Sequence, residues 1–270
     1  MVTFNPTISN NLARTLSNLH IPGRPLILTN VWDGASALSA ISHPKTKAIA
    51  TASFAIAAAA GVDDDDLTLE DNLYAISKIS GVIARSGKGE TIPLSVDLQN
   101  GYGDKLSDAI KSVVKLGVVG INLEDTDIIN GKKELVDIEE QVRRIGRVLV
   151  IAKEMGVPDF VINARTDCVL HGGTIEEAVS RGRRFLSAGA KNVFVWGGSE
   201  RGGLKGAEVE ELVDGLDGKL NVIYRKSVEG ALSINQIAKL GVARISMGPG
   251  LWREGIAAVE KEMNRVLESA

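Results

Sequence analysis

A few acids, one amide and one arginine, each at the end of an apolar run, could carry the chemistry of this chain. The stretch from Leu94 to Gly103 starts as a buried strand and stops at small polar residues and two glycines around Tyr102. It leaves Asp97 and Gln99 at the strand exit. Side chains at i and i+2 on a strand face the same way, so both are predicted to look into one pocket, Asp97 as a charged metal ligand and Gln99 as a neutral amide. The run Gly120 to Glu124 ends in two acids, Glu124 and Asp125, and the run from Phe160 delivers Arg165, with Asp167 two residues on. Acids and an arginine meeting at one mouth suit a hard cation, Mg²⁺ or Mn²⁺, held by carboxylates, and an anionic substrate gripped by a guanidinium. Plainer readings stand beside these. Arg165 could serve a purely structural ion pair with Asp167 or Glu124, and Asp33 or Ser246 could be cap or turn residues.

These residues need elements to bring them together, and the chain supplies a repeating pattern. After a short amphipathic helix around Ile8 to Leu19, apolar strand-length runs are predicted at 26–33, 48–54, 92–99, 120–124, 160–165, 192–196, 220–224 and 243–247. Between them the spacing predicts helices over 36–42, 68–83, 107–116, within 135–155, from Thr174, and from Ser233, with a last helix over about 252–267. Thr174 with Glu177 and Ser233 with Gln236 have capping-box spacing, and Thr68 with Asp71 resembles one. The segments 115–121 and 239–245 echo each other, each running from a helix end through Gly into a strand. Strands too apolar for a wet face, alternating with helices, predict a parallel sheet closed into a (β/α)8 barrel over residues 1–270 as one domain. A doubly wound open sheet is the alternative, but no Gly-rich phosphate loop occurs. In a barrel the polar residues at strand exits form the mouth. They include Asp33, Ser53, Asp97, Gln99, Glu124, Asp125, Arg165, Asp167, Arg225 and Ser246.

The 270 residues carry a formal net charge of -3 and 44% hydrophobic residues. That balance offers no basic face for nucleic acid. No run approaches the apolar length that spans a bilayer, and residues 1–11 lack a secretory pattern, so a cytoplasmic location is expected. The single Cys168 excludes an internal disulfide; it reads as a small buried residue or as a reactive thiol. The acids Asp63 to Asp66 read equally as a solvated loop near a helix start or as a lid over the mouth. Of the three histidines, only His171 lies in a loop that could approach the mouth.

Several segments together resemble the isocitrate lyase and phosphoenolpyruvate mutase superfamily, in particular its short, mutase-like members. They are residues 30–37, Thr51 to Ser53, Gly61 to Asp64, Asp97 to Gly103, Gly120 to Asp125 and Asn163 to Asp167. The resemblance implies a barrel enzyme that uses Mg²⁺ to cleave or rearrange a bond next to a 2-oxo acid through an enolate. Carried over by position, Asp97 would be the metal-side carboxylate, Glu124 its partner through water, Ser53 and Arg165 the grip on the substrate, and Asp64 the acid of a gating loop. Trp32, Ala55 and Trp196 would stand near the substrate, with Gln99 beside the metal. The resemblance also implies a homo-oligomer, a dimer or tetramer, in which the C-terminal helix packs on or exchanges with a neighbour.

The departures narrow the expectation. Gln99 stands where relatives carry a second acid, Ala55 replaces a glycine, Trp196 lies where many carry a glutamate, and the Lys-Lys-Cys-Gly-His segment of the isocitrate and methylisocitrate lyases is absent. Four consecutive acids facing inward would repel a phosphonate dianion by about 1 kcal/mol or more per close pair. The expected activity is therefore a lyase, decarboxylase or C–C hydrolase on an oxaloacetate-like or substituted malate-like acid. A phosphonopyruvate-type mutase or hydrolase, and a barrel that binds a small acid without turning it over, are the alternatives.

Overall fold

The computed structural model describes residues 4–226 and 230–269. Helix α1 (Pro6–Leu19) is capped by the Asn5 side chain and precedes the barrel. Seven segments then lead into the barrel: β1 (Leu26–Val31), α2 (Gly34–Ser42), β2 (Ile49–Thr51), α3 (Ser53–Ala60), α4 (Leu69–Arg85), β3 (Leu94–Asp97) and α5 (Leu106–Lys115). Next come β4 (Gly120–Glu124), a hairpin of β5 (Thr126–Ile129) and β6 (Lys132–Leu135), α6 (Ile138–Glu154), β7 (Val161–Thr166) and α7 (Ile175–Ser187). The chain closes with β8 (Asn192–Val195), α8 (Gly206–Gly215), β9 (Leu220–Ile223), α9 (Ile234–Lys239), β10 (Arg244–Ser246) and α10 (Gly250–Leu267).

The parallel strands close in the order β1-β10-β9-β8-β7-β4-β3-β2, so the predicted (β/α)8 barrel is present. Strands buried on both faces need helices outside them, and residues such as Ile76, Ile110, Val148 and Phe185 from the helices fill that layer with exposures at or near zero. The bottom is covered by α1. Gly120 is required there, because a Cβ would lie 2.8 Å from Leu16 Cδ2 and 3.0 Å from the Val161 carbonyl.

The barrel interior is not uniformly apolar. Asn122, Asn163 and Asn192 form a chain inside it, with Asn163 Nδ2 donating to Asn122 Oδ1 at 2.8 Å and Asn192 Nδ2 to Asn163 Oδ1 at 3.2 Å. Arg244 is fully buried and donates from Nη2 to Asn122 Oδ1 at 3.1 Å. Burial lowers its pKa to about 9, against the opposing charge of Asp97.

The elements differ from expectation at three sites. Strand two stops at Thr51, and Ser53 opens α3, an extra helix. The hairpin β5–β6 inserts after β4, with Asp127 opposite Glu134 and Ile128 opposite Lys133. Helix α8 was not legible as a separate run. By contrast the caps at Thr68, Thr174 and Ser233 all form.

Candidate active site

Parallel strands send their C-terminal ends to one mouth, and register decides which residues meet there. Glu124 and Arg165 are Cα partners on β4 and β7, and Arg165 is in turn the partner of Phe194 on β8. Arg165 Nη1 lies 2.8 Å from Glu124 Oε2, and its Nε lies 2.7 Å from Asp167 Oδ1, with Nη2 donating to Asp167 Oδ2 at 3.0 Å. One guanidinium is therefore shared between two carboxylates. Burial opposes its charge, but Asp167 and Glu124 more than offset this and hold it above the usual arginine range. Burial pushes the Glu124 carboxyl well above the ordinary range against Arg165, and Asp167, Asp97 and Asp64 add to the rise.

Asp97 ends β3 and is 7% exposed. Its Oδ2 accepts from both the backbone N and the Oγ of Ser53 at 3.3 Å, and Oδ1 accepts from Gln99 N at 3.3 Å. These are long contacts for a buried carboxylate. Ser53 is the first residue of α3, where amide groups have no partner within the helix, so a helix N-terminus points toward Asp97.

Above them, the turn Asp64–Asp66 folds over the mouth. Gln99 Nε2 donates to the Asp64 carbonyl at 2.6 Å and to Asp64 Oδ1 at 3.2 Å. Asp65 is paired with Lys133 from the hairpin. Burial, followed by the Asp97 charge, raises the Asp64 pKa, while a hydrogen bond from Ser53 and the Arg165 charge lower it.

A cavity of about 280 Å³ opens at this mouth. Asp64, Asp97, Ser53, Arg165 and Trp196 line it, together with Arg225 and Ser246, so seven of the sequence-selected residues meet there. Glu124 stands behind Arg165 rather than on the wall. Trp32 is half-buried and packs with Ile56, Ala57 and Leu67 under α3. Ala55 is buried on α3, its N–H taken by the Ala52 carbonyl at 3.1 Å, and does not line the cavity. Gln99 does not follow the expected strand alternation: β3 ends at Asp97, and a left-handed backbone (φ 49°) turns the Gln99 amide onto Asp64. Of the acids 63–66, Asp64 alone lines the cavity, so the postulated inward repulsion reduces to one carboxylate.

The remaining strand-exit residues separate by role. Asp33 caps α2, accepting from Ser36 N at 2.7 Å. Asp125 is buried against Arg181 at 2.8 Å and accepts from Asp167 N at 2.9 Å, a brace behind the mouth. Ser246 and Arg225 do line the cavity. His171 lies 3.2 Å from Thr126 Oγ1 beside the hairpin. Cys168 is buried. Sequence reasoning missed Asn30, whose Oδ1 accepts from Met247 N at 2.8 Å and Gly248 N at 3.0 Å, and also Phe194 and Arg253. A polar Asn within an apolar strand run was the available signal for Asn30.

Among the described residues, no group of three or more His, Cys, Asp or Glu could hold a metal ion alone. No helix there is long and apolar enough to cross a membrane.

The fold and mouth together define a (β/α)8 barrel enzyme of the phosphoenolpyruvate mutase and isocitrate lyase superfamily, of its lyase type. The chain belongs to the Phosphoenolpyruvate phosphomutase family, whose profile matches residues 16–267. An uncharacterised protein of Mycobacterium tuberculosis is 28% identical over 244 residues, covering 89% of this chain and 84% of its own. Oxaloacetate decarboxylase of Ectopseudomonas mendocina is 30% identical over 196 residues, covering 69% and 62%. The crystal structure of 2,3-dimethylmalate lyase superposes with a TM-score of 0.78 at 26% identity, covering 99% of this chain and 86% of the other.

Proposed function

We propose that this enzyme cleaves a C–C bond of a small 2-oxo or 2-hydroxy dicarboxylic acid so that an enolate or carboxylate product leaves, with oxaloacetate decarboxylation as the simplest case. The observation that carries this reading is the meeting of Asp97, Ser53, Arg165 and Asp64 around one cavity at the barrel mouth. In the oxaloacetate case the bond between C3 and C4 breaks, C4 leaves as carbon dioxide, and the electron pair remains as an enolate of pyruvate. A proton from water then reaches C3.

The residues fit a Mg²⁺ ion. Mg²⁺ keeps several waters and uses one or two carboxylates, and Asp97 offers a buried carboxylate with only long hydrogen bonds. Asp97 would hold the ion directly and Glu124 through water. A bound ion would supply positive charge at the 2-oxo oxygen as negative charge develops there. Arg165 and the α3 N-terminus at Ser53 orient the substrate carboxylate. Asp64, whose pKa is raised, is the candidate for holding a proton near the reacting carbon. Its turn excludes water while Gln99 and Lys133 hold it.

Incubation with Mg²⁺ and oxaloacetate should release pyruvate. Absence of turnover across 2-oxo and 2-hydroxy diacids, with saturable binding retained, would replace this reading with a non-catalytic acid-binding barrel. Phosphonopyruvate belongs in the same panel, because only one of the four loop acids lines the cavity.

We further expect the chain to work as a homo-oligomer, with a second copy covering α10. Ile256, Val259, Met263, Val266 and Leu267 are exposed at helical spacing on that element.

A further inference from the structure

The cavity continues outward from Arg165 along a graded wall. The Arg165 guanidinium carbon stands 5.6 Å from the Phe194 ring centre, Phe194 and Trp196 are 6.3 Å apart, and the Arg225 guanidinium carbon stands 5.8 Å from the Trp196 ring. A cation, two aromatic rings and a second cation thus follow one another in similar steps. Across the outer end, Arg253 lies 5.1 Å over the Phe54 ring, and Phe54 meets Trp252 edge-on at 6.1 Å. Two guanidinium groups, each over an aromatic ring, therefore stand at the outer end of the same cavity, one from the β9 exit and one from the first turns of α10.

Among the described residues, no carboxylate compensates their charge. Lys226, the next cation there, is paired with Glu254 at 2.8 Å, the one carboxylate among the described residues that lines this end. Among the described residues, neither Arg225 nor Arg253 meets a carboxylate at ion-pair distance; Arg225 only reaches the Ser199 carbonyl, at 3.4 Å. Partial burial, then the charge of Arg253, lowers the Arg225 pKa. Two like charges set together at a partly desolvated rim cost free energy in the absence of an anion. Cation–π contact with the Trp196 and Phe54 rings restrains both groups and reduces the ordering cost of binding an anion.

An oxaloacetate-sized acid held at Arg165 and Ser53 would leave this outer end unfilled. We propose that Arg225 and Arg253 form an outer subsite for a further carboxylate, so that the preferred substrate is a 2-oxo or 2-hydroxy acid longer than oxaloacetate that keeps on C3 the group lost in the inner site and adds an apolar chain, lying along Phe194 and Trp196, ending in this carboxylate. This rests on the reading of the inner site as the one that takes the 2-oxo end. The outer carboxylate accepts from two guanidinium groups, and the intervening methylene groups cover the partly exposed Trp196 ring beside the buried Phe194.

The test is calorimetric binding in Mg²⁺ of 2-oxoadipate and 2-oxopimelate against 2-oxohexanoate and 2-oxoheptanoate, the same chains without the distal carboxylate. Wild type should prefer each diacid over its monoacid by about tenfold or more. Arg225→Gln and Arg253→Gln should each reduce that ratio several-fold, with Arg225→Lys retaining part of it. Thermal unfolding of each variant controls for folding. Equal affinity for diacid and monoacid in wild type, or a ratio unchanged in both Gln variants, would overturn the subsite. The result separates from the inner-site chemistry: pyruvate release from oxaloacetate without a diacid preference leaves the activity standing and removes the subsite, and a diacid preference without any turnover does the reverse.

Discussion

Gln99 and Asp64 are joined across the mouth by one amide, 2.6 Å to the Asp64 carbonyl and 3.2 Å to its carboxylate. A residue just past the β3 exit thereby becomes a latch for the acidic turn. Gln99→Ala removes the latch, and hydrogen exchange over residues 61–68 should speed up several-fold, in keeping with the loss of about 1 kcal/mol of local hydrogen bonding. Gln99→Asp sets a carboxylate against Asp64 and should open the turn further without tightening Mg²⁺ binding. A rise in Mg²⁺ affinity in that variant would return residue 99 to the cation site.

Asp97→Ala removes the only sequence-selected strand-end carboxylate on the cavity wall. Titration with Mg²⁺ should show affinity lost or reduced by more than tenfold, and turnover should fall by about 100-fold or more, the scale of removing one electrostatic contributor at a reacting centre. Equal Mg²⁺ binding by wild type and variant would remove Asp97 from that role.

Arg165→Met leaves Glu124 and Asp167 facing each other without a counter-charge. Breaking such a buried arrangement costs about 3–5 kcal/mol, which urea unfolding should register as a lower midpoint. Arg165→Lys keeps the charge but not the fork that reaches both acids, so it should recover much of the stability and little of the activity.

His20 sits buried under the barrel, with Nδ1 2.8 Å from the Leu16 carbonyl. Burial, with the Arg244 charge behind it, lowers its pKa from 6.5 to about 3. The unfolded chain takes up this proton first as pH falls, so stability linked to His20 is complete above pH 6.5 and declines toward pH 3. The slope approaches about 1.4 kcal/mol per pH unit, or about 2 kcal/mol lost by pH 5. Denaturant unfolding from pH 7 to 5 should show this decline in wild type and a shallower one in His20→Gln. Parallel curves would remove His20 as the source.

The apolar stripe on α10 provides a check on assembly. Val259→Asp with Met263→Asp, at 52% and 54% exposure, should leave the folded barrel intact and shift the light-scattering mass to a single chain. A wild-type chain already monomeric at micromolar concentration would end the oligomer proposal.

Much of this protein is a local property of its sequence. Apolar runs of strand length and the caps at Thr174 and Ser233 identify the barrel because they depend on residues a few positions apart, and β4 was legible to its end at Glu124. The acids and the arginine at the strand exits were legible for the same reason: a charge ending an apolar run needs a partner. What the sequence could not express is which partner. Gln99 left its expected pocket because β3 ends two residues earlier and its own backbone turns left-handed. Trp32 and Ala55 ended away from the cavity because α3 starts immediately after β2: Trp32 packs against Ile56 and Ala57 of that helix, and Ala55 is buried on the helix itself. The register of β4, β7 and β8 alone decided that Glu124 stands behind Arg165 and that Phe194 follows it, and helix α10 alone carried Arg253 to the cavity rim. Such contacts join residues far apart in the chain, and closure of the barrel, which no local pattern encodes, brings them together.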